Sequence, residues 1–362
     1  MSSTESVSPH DVIVCACGTQ EYTARDAIDA AIFRGELEDK WQKFLRHVAA
    51  EGRAGELELE LDDSAISAAA EVFRYLHDLI TAEETEAWLA NRGLTFDDFS
   101  DYFARQYCVG AVDEGFSPEQ IGYASAGPEL RDLFVVELIL SGALGDMTVK
   151  LRWRLAARCA GNEPTPDAIA AEERKFLHRI KIEPAQLANW LEELGRDSQW
   201  LNEMLAIEAA YGMHCDRLLV PEARQRELRG LRLHLTRFEI ELIELESRDA
   251  AKEALFCVRE DGMSMEEVAT EGRYPYRRAE FLLEDLPADA QAKYLSVSQG
   301  GVLEPIPHGD GFELCRIIKK VEPRLEDPSV KSRVDQRLLD QYFSDLTTKY
   351  TYPRLSVPVS VE

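Results

Sequence analysis

Cysteine, histidine and glutamate side chains are the residues of this chain with the chemistry of metal ligands. Cys15 and Cys17 lie two positions apart in a short β-branched run, and His10 is close by. We expect this run to be a strand whose two thiols point to opposite faces, and we interpret them as free, buried cysteines. Two other groups contain ligand-type side chains: His214 with Cys215, and Glu172 with Glu173 and His178. Neither has the spacing of a His-Glu-x-x-His zinc motif, so we predict no metal site.

Glycine pairs and tryptophans are the remaining candidates for ligand binding. Gly300-Gly301 and Gly309-x-Gly311 are not followed by the start of a helix, so they do not form a phosphate-binding loop. We therefore predict no cofactor. The five tryptophans are expected in the core, although some could line a groove that binds an extended peptide. These tryptophans are Trp41, Trp88, Trp153, Trp190 and Trp200.

Charge and composition exclude several classes of partner. The chain has 362 residues and a formal net charge of −26, which argues against nucleic acid or an anionic membrane as a partner because like charges repel. A neutral or basic peptide is compatible with this charge. The N-terminal residues have no basic region followed by an apolar one, and the seven cysteines form no CxxC pair. We therefore predict a cytoplasmic protein.

In the first part of the chain, apolar residues recur at the spacing of a series of helices. After the strand that contains Cys15, apolar residues at helical spacing begin near Thr23, Leu37, Asp63 and Thr95. A shorter helix containing Trp88 precedes the last of these. Together they predict a bundle of helices that begins with one strand and a glycine turn.

One motif in this module carries a family resemblance. The stretch from Trp88 to Phe99 reads Trp-Leu-Ala-Asn-Arg-Gly-Leu-Thr-Phe-Asp-Asp-Phe. It resembles a motif in the N-terminal chaperone domain of SurA and related parvulin-bearing foldases. The resemblance implies a helical chaperone module over residues 1–126.

The next segment, residues 127–235, reads as a second helical module. Several apolar and glycine positions of the first module recur in it: Ile32, Gly35 and Leu37 as Ile139, Gly142 and Leu144, and Trp88, Leu89 and Gly93 as Trp190, Leu191 and Gly195. We interpret this as a possible duplication. The alternative is two unrelated helical hairpins with similar caps.

Residues 236–322 have the pattern of a small α+β domain. Residues 238–245 alternate between apolar and acidic, which predicts a strand, and helices are expected at 247–259 and 287–294. The stretch from Gly300 to Ile318 contains a strand ending at Pro305-Ile306, the turn Gly309-Asp310-Gly311, and a second strand. It resembles the last two strands of a parvulin-type peptidyl-prolyl isomerase domain. The overall fold class expected is mainly α with this small α+β domain.

The resemblance also assigns the positions of the isomerase cleft, and they depart from the family's pattern. The two facing histidines of the family fall on Glu241 and Glu313, and its Met and Phe positions fall on Leu286 and Ala290. The isomerisation barrier is torsional, so catalysis needs a pocket for a twisted amide more than it needs an acid and a base. Ala290 cannot fill such a pocket. We predict a degenerate domain with no catalytic residues.

The tail, residues 323–362, contains a long amphipathic segment. In SurA-like proteins a C-terminal helix packs on the N-terminal helical domain, and the resemblance implies the same arrangement here. For peptide binding, the candidate residues are Leu286, Phe312, Trp88 and Trp190.

These patterns predict a non-catalytic chaperone or scaffold that holds a peptide or unfolded polypeptide. The segments 303–306 and 323–330 resemble PpiC-related proteins of ribosomal peptide natural-product maturation, which implies a precursor peptide as the ligand. Two alternatives stay open. One is an active peptidyl-prolyl isomerase, and the other is a structural partner subunit of a peptide-modifying enzyme.

Overall fold

The structure is a computed structural model that describes residues 8–112, 118, 120–161 and 163–355. In chain order the N-terminal elements are β1 (Ile13–Cys17), β2 (Gln20–Thr23), α1 (Ala24–Phe33), α2 (Glu38–Glu56), α3 (Asp63–Leu76), α4 (Ala82–Ala90), α5 (Phe96–Ala111), α6 (Pro128–Leu140), α7 (Ala143–Ala160), α8 (Pro166–Ile180), α9 (Leu187–Leu194) and α10 (Ser198–Leu218). The C-terminal elements are α11 (Pro221–Gly230), β3 (Arg237–Leu245), α12 (Arg248–Arg259), α13 (Met265–Gly272), β4 (Tyr276–Leu282), α14 (Ala288–Ser296), β5 (Ile306–His308), β6 (Gly311–Val321), α15 (Pro328–Tyr350) and β7 (Thr351–Pro353).

The predicted fold class, mainly α with a small domain that contains β-strands, is confirmed. The chain divides into two compact units: unit 1 spans Met1–Asp216 with Tyr342–Glu362, and unit 2 spans Arg217–Gln341. Unit 1 contains a three-stranded antiparallel sheet of order β2-β1-β7. Unit 2 contains a four-stranded antiparallel sheet of order β4-β3-β6-β5.

Local sequence explains how the hairpin and first helix of unit 1 form. Gly18 has a φ of 60° in the two-residue turn between β1 and β2, a conformation that favours glycine. Thr23 then caps α1, because its side chain accepts a hydrogen bond from the backbone N–H of Asp26 and the Asp26 carboxylate accepts one from the Thr23 N–H. This capping box fixes the exit from β2 into the helix.

Unit 1 is built around one apolar core that draws on helices from both predicted modules. Phe33 of α1 stacks on Phe176 of α8 with ring centroids 4.4 Å apart, and Trp41 of α2 packs edge-on against Phe134 of α6 at 5.0 Å. Each of these four side chains is almost completely buried. The core therefore joins the segment before residue 126 to the segment after it.

The two predicted modules also resemble each other in the order of their elements. Among the described residues, the first module contains the five α-helices α1 to α5 and the second the six α-helices α6 to α11. In each module the turn after the first helix ends in a glycine at positive φ, namely Gly35 at 69° and Gly142 at 79°. This parallel agrees with a duplication, which stays a prediction.

The end of α15 and β7 belong to unit 1. The ring of Phe343 is fully buried and stacks between Trp153 of α7, at 5.3 Å, and Tyr211 of α10, at 4.9 Å. β7 pairs with β1 through the register of Cys15 with Pro353. The C-terminal residues of the long helix therefore contribute to the core of the N-terminal unit.

The sheet of unit 2 separates two apolar clusters. Ile243, Leu245 and Leu314 face α12 and α13, whereas Phe238, Leu242 and Cys315 face Tyr294 of α14. We call the second side, with Tyr294, the α14 face. The strand β4 at the edge of this sheet was not predicted, because Arg277, Arg278 and Glu280 give it little apolar alternation, as is common at sheet edges.

Candidate functional site

A groove in unit 1 combines apolar and polar surface next to Trp200, a half-buried tryptophan. Its volume is about 1040 Å³, and β1, β2, α7 and the start of α10 form its walls. We call it the Trp200 groove. Its large apolar lining residues are Tyr22, Leu151, Leu155, Trp200, Met204 and Ile207.

The start of α10 positions Trp200 at this groove. The Asp197 carboxylate accepts a hydrogen bond of 2.8 Å from the backbone N–H of Trp200, in the manner of a helix N-cap. Behind it, the indole packs edge-on against Phe33 at 6.3 Å, and it lies at 37° to the ring of Trp190 at 6.4 Å. Trp200 is therefore held from behind by the core while one side faces the groove.

The other groove-lining residues of α10 follow at helical spacing. Met204 and Ile207 lie four and seven positions after Trp200, so they fall on one face of the helix. Methionine is flexible and polarisable and adapts to ligands of different shape. Met204 and Ile207 are 5% and 9% exposed, so they form the floor of the groove beside the half-buried ring of Trp200, and this apolar floor suits apolar side chains of a peptide.

The rim of the groove is acidic. It carries four carboxylates, Asp26, Glu163, Asp197 and Glu203, against two guanidinium groups, Arg158 and Arg196. Both cations are already paired: Arg158 donates to Glu163 at 2.7 Å, and Arg196 donates to Asp26 at 3.2 Å. The carboxylates of Glu203 and Asp197 form no ion pair with another described residue, so the free charge at the rim is negative.

Trp88, a predicted peptide-binding residue, lies at a second groove of unit 1 with a volume of about 1070 Å³. The guanidinium carbon of Arg92 lies 3.7 Å from the centroid of the Trp88 ring, and burial lowers the pKa of Arg92 to about 10. One ring face is therefore already covered by a cation. We call this surface the Trp88 groove.

Trp190, the other predicted tryptophan, is half-buried and packs against Phe176 at 5.3 Å. It supports Trp200 from behind. In the sequence alone, Trp200 is one of five tryptophans. The signal that identifies it is the row of Trp200, Met204 and Ile207 directly after an N-cap aspartate.

In unit 2, the structure does not bring together the two glutamates that the resemblance places at the histidine positions. Glu313 lies on the α14 face with Cys315, whereas Glu241 lies on the opposite face, where it accepts a hydrogen bond of 2.9 Å from the Tyr276 hydroxyl. The expectation of a facing pair is therefore wrong. Side chains alternate along β3, and the residue of β3 that lies opposite Glu313 is Glu244.

The predicted apolar residues Leu286 and Phe312 also lie on opposite faces of the sheet. Leu286 packs against the cluster on the α14 face, whereas Phe312 packs against the cluster on the other face. Ala290 is half-buried on α14, four residues before Tyr294. Leu286 and Phe312 therefore cannot line one pocket on the sheet.

Charged residues that the sequence analysis did not single out occupy the α14 face. Arg277 donates to Glu313 at 2.9 Å and to Glu244 at 3.3 Å, and Nε2 of His308 lies 3.8 Å from the Glu313 carboxylate. Beneath them, burial raises the pKa of the Cys315 thiol to about 12. The thiol is therefore protonated at neutral pH and is a poor nucleophile there.

The expectation that the thiols of Cys15 and Cys17 point to opposite faces of β1 is wrong. Cys15 and Cys17 are two residues apart, and a strand repeats every two residues, so their side chains project from the same face and not from opposite faces. Both are buried. Among the described residues, no three histidine, cysteine or carboxylate side chains are grouped so that they could hold a metal ion.

Within the described part of the chain, no helix combines the length and the apolar character needed to span a membrane.

Comparisons with known proteins give structural likeness at low identity. No protein-family model and no curated protein matches the chain. Among solved structures, it is similar to the peptidylprolyl isomerase PrsA from Bacillus cereus, at 13% identity over 62% of this chain and 86% of that one, with a TM-score of 0.37. It is also similar to the foldase protein PrsA from Lactococcus lactis, at 10% identity over 95% of both chains, with a TM-score of 0.25.

A third similar structure is one of two structurally related SurA-like chaperones of Campylobacter jejuni, PEB4 and the periplasmic protein Cj1289. It shows 9% identity over 58% of this chain and 87% of that one, with a TM-score of 0.22. These proteins are of the foldase kind that the sequence motifs resemble. At such identities and scores the likeness carries no functional argument.

Proposed function

We propose that this protein is a non-catalytic chaperone that holds an extended peptide or unfolded segment in the Trp200 groove. The observation that carries the proposal is the row of Trp200, Met204 and Ile207 along one wall of a groove of about 1040 Å³. Grooves of this size with apolar walls and a few polar groups are the usual form of ligand sites. The N-cap at Asp197 holds the row in place before a ligand arrives.

Charge selects the class of peptide. The carboxylates of Asp197 and Glu203 at the rim, which form no ion pair with another described residue, and the net charge of −26 favour basic or neutral segments over acidic ones. Added salt therefore slows association, because it screens this attraction. We infer that the preferred ligand combines apolar side chains with lysine or arginine.

Tryptophan fluorescence locates the bound peptide. Titration of an unstructured peptide that contains leucine and lysine should change the emission of the wild-type protein. The Trp200→Phe variant should lose most of this change, whereas the matched Trp88→Phe variant should keep it. Loss of the change in Trp88→Phe alone would move the site to the Trp88 groove.

A finer proposal concerns the identity of the ligand. The resemblance of residues 303–306 and 323–330 to PpiC-related proteins supports a precursor of a ribosomal peptide natural product, held during its maturation in the cytoplasm. The test is to compare a precursor peptide encoded beside this protein with a scrambled peptide of the same composition. Equal affinity for both peptides would limit the function to general holding of unfolded segments.

An active peptidyl-prolyl isomerase is a second candidate, favoured by one contact. His308 places an imidazole 3.8 Å from Glu313 on the α14 face, so a histidine does reach this side of the sheet. Against this candidate, Arg277 already holds Glu313 and the Cys315 thiol is protonated. A protease-coupled assay on a proline peptide, with His308→Gln as the variant, distinguishes the two.

A structural partner subunit of a peptide-modifying enzyme is the third candidate. The observation in its favour is a stripe of exposed apolar residues on and after α3: Val72, Tyr75, Leu76 and Ile80. Exposed apolar patches mark interaction surfaces. Substitution of Val72 and Leu76 by serine would release such an enzyme without changing peptide binding in the Trp200 groove.

A further inference from the structure

Two cysteine sulfurs meet on the wall of the Trp200 groove. Cys17 is the last residue of β1, and Cys159 lies one residue before the end of α7. Their Sγ atoms are 2.7 Å apart, although the residues are 142 positions apart in the sequence. The sulfurs of a disulfide bond are about 2.05 Å apart, so only a small movement of the side chains separates this contact from a covalent bond.

The two thiols differ in how a reagent reaches them. Cys159 is exposed, whereas Cys17 is 9% exposed. Burial, together with the hydrogen bond to Cys159, raises the pKa of Cys17 to about 12. A reagent therefore meets Cys159 first. Cys17 lies behind it in position to react second, and because only the thiolate attacks a disulfide, this second step is slow at neutral pH and becomes faster as the pH rises.

We propose that Cys17 and Cys159 form a reversible dithiol–disulfide pair at the groove, a modification site oxidised by exchange with a low-molecular-weight disulfide such as oxidised glutathione. The Cys159 thiolate attacks one sulfur of glutathione disulfide, and one glutathione thiol leaves. Cys17 then attacks Sγ of Cys159, forms the protein disulfide and releases the second glutathione thiol. Two protein thiols are oxidised, one disulfide is reduced to two thiols, and the two protons pass to those thiols.

The bond would have two consequences. It would close a loop of 142 residues, which restricts the unfolded chain and stabilises the folded one. It would also tie β1 to α7, two walls of the Trp200 groove, and so hold the width of the groove fixed. This second consequence rests on the proposed function, whereas the bond itself does not.

Peptide mapping tests the bond. The full-length, reduced protein is incubated with oxidised glutathione, quenched with acid, alkylated and digested. We expect a linked pair of peptides that contain Cys17 and Cys159, which disappears when dithiothreitol is added before alkylation. Cys159→Ser should abolish the linked pair, whereas Cys257→Ser, which changes a half-buried cysteine of unit 2, should leave it intact.

Three outcomes would overturn the proposal: Cys17 and Cys159 both alkylated after oxidation, a linked pair between other cysteines, or Cys159 trapped with glutathione and never joined to Cys17. Thermal melting gives an independent readout, since the oxidised protein should melt about 5 °C or more above the reduced one. If the oxidised protein is more stable but binds peptide with unchanged affinity, the disulfide stands, and only its proposed effect on the width of the groove is rejected.

Discussion

The Nε atom of Arg196 lies 2.6 Å from Oδ2 of Asp29, a carboxylate that is 3% exposed. Burial raises the pKa of Asp29, and the guanidinium of Arg196 opposes that rise. Arg196 also lies at the rim of the Trp200 groove. One ion pair therefore connects the groove to the buried side of α1.

Removal of this pair should destabilise the protein. In Arg196→Ala, the buried carboxylate of Asp29 loses its nearest counter-charge and keeps Arg25, whose Nε lies 3.9 Å away, so we expect a loss of about 3 kcal/mol in the free energy of unfolding. Urea denaturation measures the change. The matched control is Arg158→Ala at the same groove, whose partner Glu163 is exposed, and its expected cost is at most about 1 kcal/mol. Equal costs for both variants would contradict this account of Asp29.

A second prediction concerns pH. Burial, with the nearby charge of Arg92, lowers the pKa of His77 below the ordinary value of 6.5. Below pH 6.5 the unfolded chain therefore binds a proton at His77 before the folded chain does. The stability contributed by this group is complete above pH 6.5 and is lost as the pH falls toward the lower pKa of the folded state.

The variant His77→Phe tests this sign. It keeps a ring next to Phe73, whose centroid lies 4.2 Å from that of His77, but it has no group that titrates. The drop in the free energy of unfolding between pH 7.5 and pH 5.5 should be smaller in the variant than in the wild type. A larger drop would show that His77 gains a proton on folding.

The C-terminal part of α15 should be needed for the stability of unit 1. Phe343 is fully buried between Trp153 and Tyr211, so Phe343→Ala should cost about 3–5 kcal/mol. Deletion of residues 326–362 should destabilise the helical unit further. Tyr352→Ala is the control, since this ring is 55% exposed and its loss should have little effect on the denaturation midpoint. A truncated protein that melts like the full-length chain would refute the prediction.

Isomerase activity should be absent. In a protease-coupled assay on a proline peptide, the wild type, Glu313→Ala and His308→Gln should all leave the rate at background. The physical reason is that Arg277 holds Glu313 and that the aromatic rings of Phe238 and Tyr294 on the α14 face are buried in the core and not exposed to a ligand. Clear acceleration by the wild type, abolished in Glu313→Ala, would establish catalysis instead.

The sequence predicted elements better than it predicted sites. The alternation of residues 238–245 and the turn at Gly309 predicted β3 and the hairpin of β5 and β6, because local patterns decide such elements. Gly311 also has a reason that only the structure gives: a Cβ atom there would lie 2.5 Å from the carbonyl oxygen of Leu245.

Site geometry depends on which face of an element each residue occupies. The sequence-based assignment placed Glu241 with Glu313, although the residue of β3 opposite Glu313 is Glu244, three positions later; an odd shift moves a side chain to the other face of the strand. The contact of Cys17 with Cys159 joins residues 142 positions apart, and no local pattern of spacing predicts it. From the sequence, only the spacing of Cys15 and Cys17 was available: residues two positions apart in a strand project from the same face.

The affinity of the groove for a basic peptide tests the central claim most directly. Calorimetry of the wild type with an unstructured peptide of leucine and lysine should give micromolar binding, about −8 kcal/mol, that weakens with added salt. Glu203→Lys at the rim should weaken this binding by about threefold to tenfold, whereas Glu193→Lys, the same change of charge at an exposed site that does not line the groove, should have little effect. Undetectable binding by the wild type, or equal affinities for the two variants, would contradict the account.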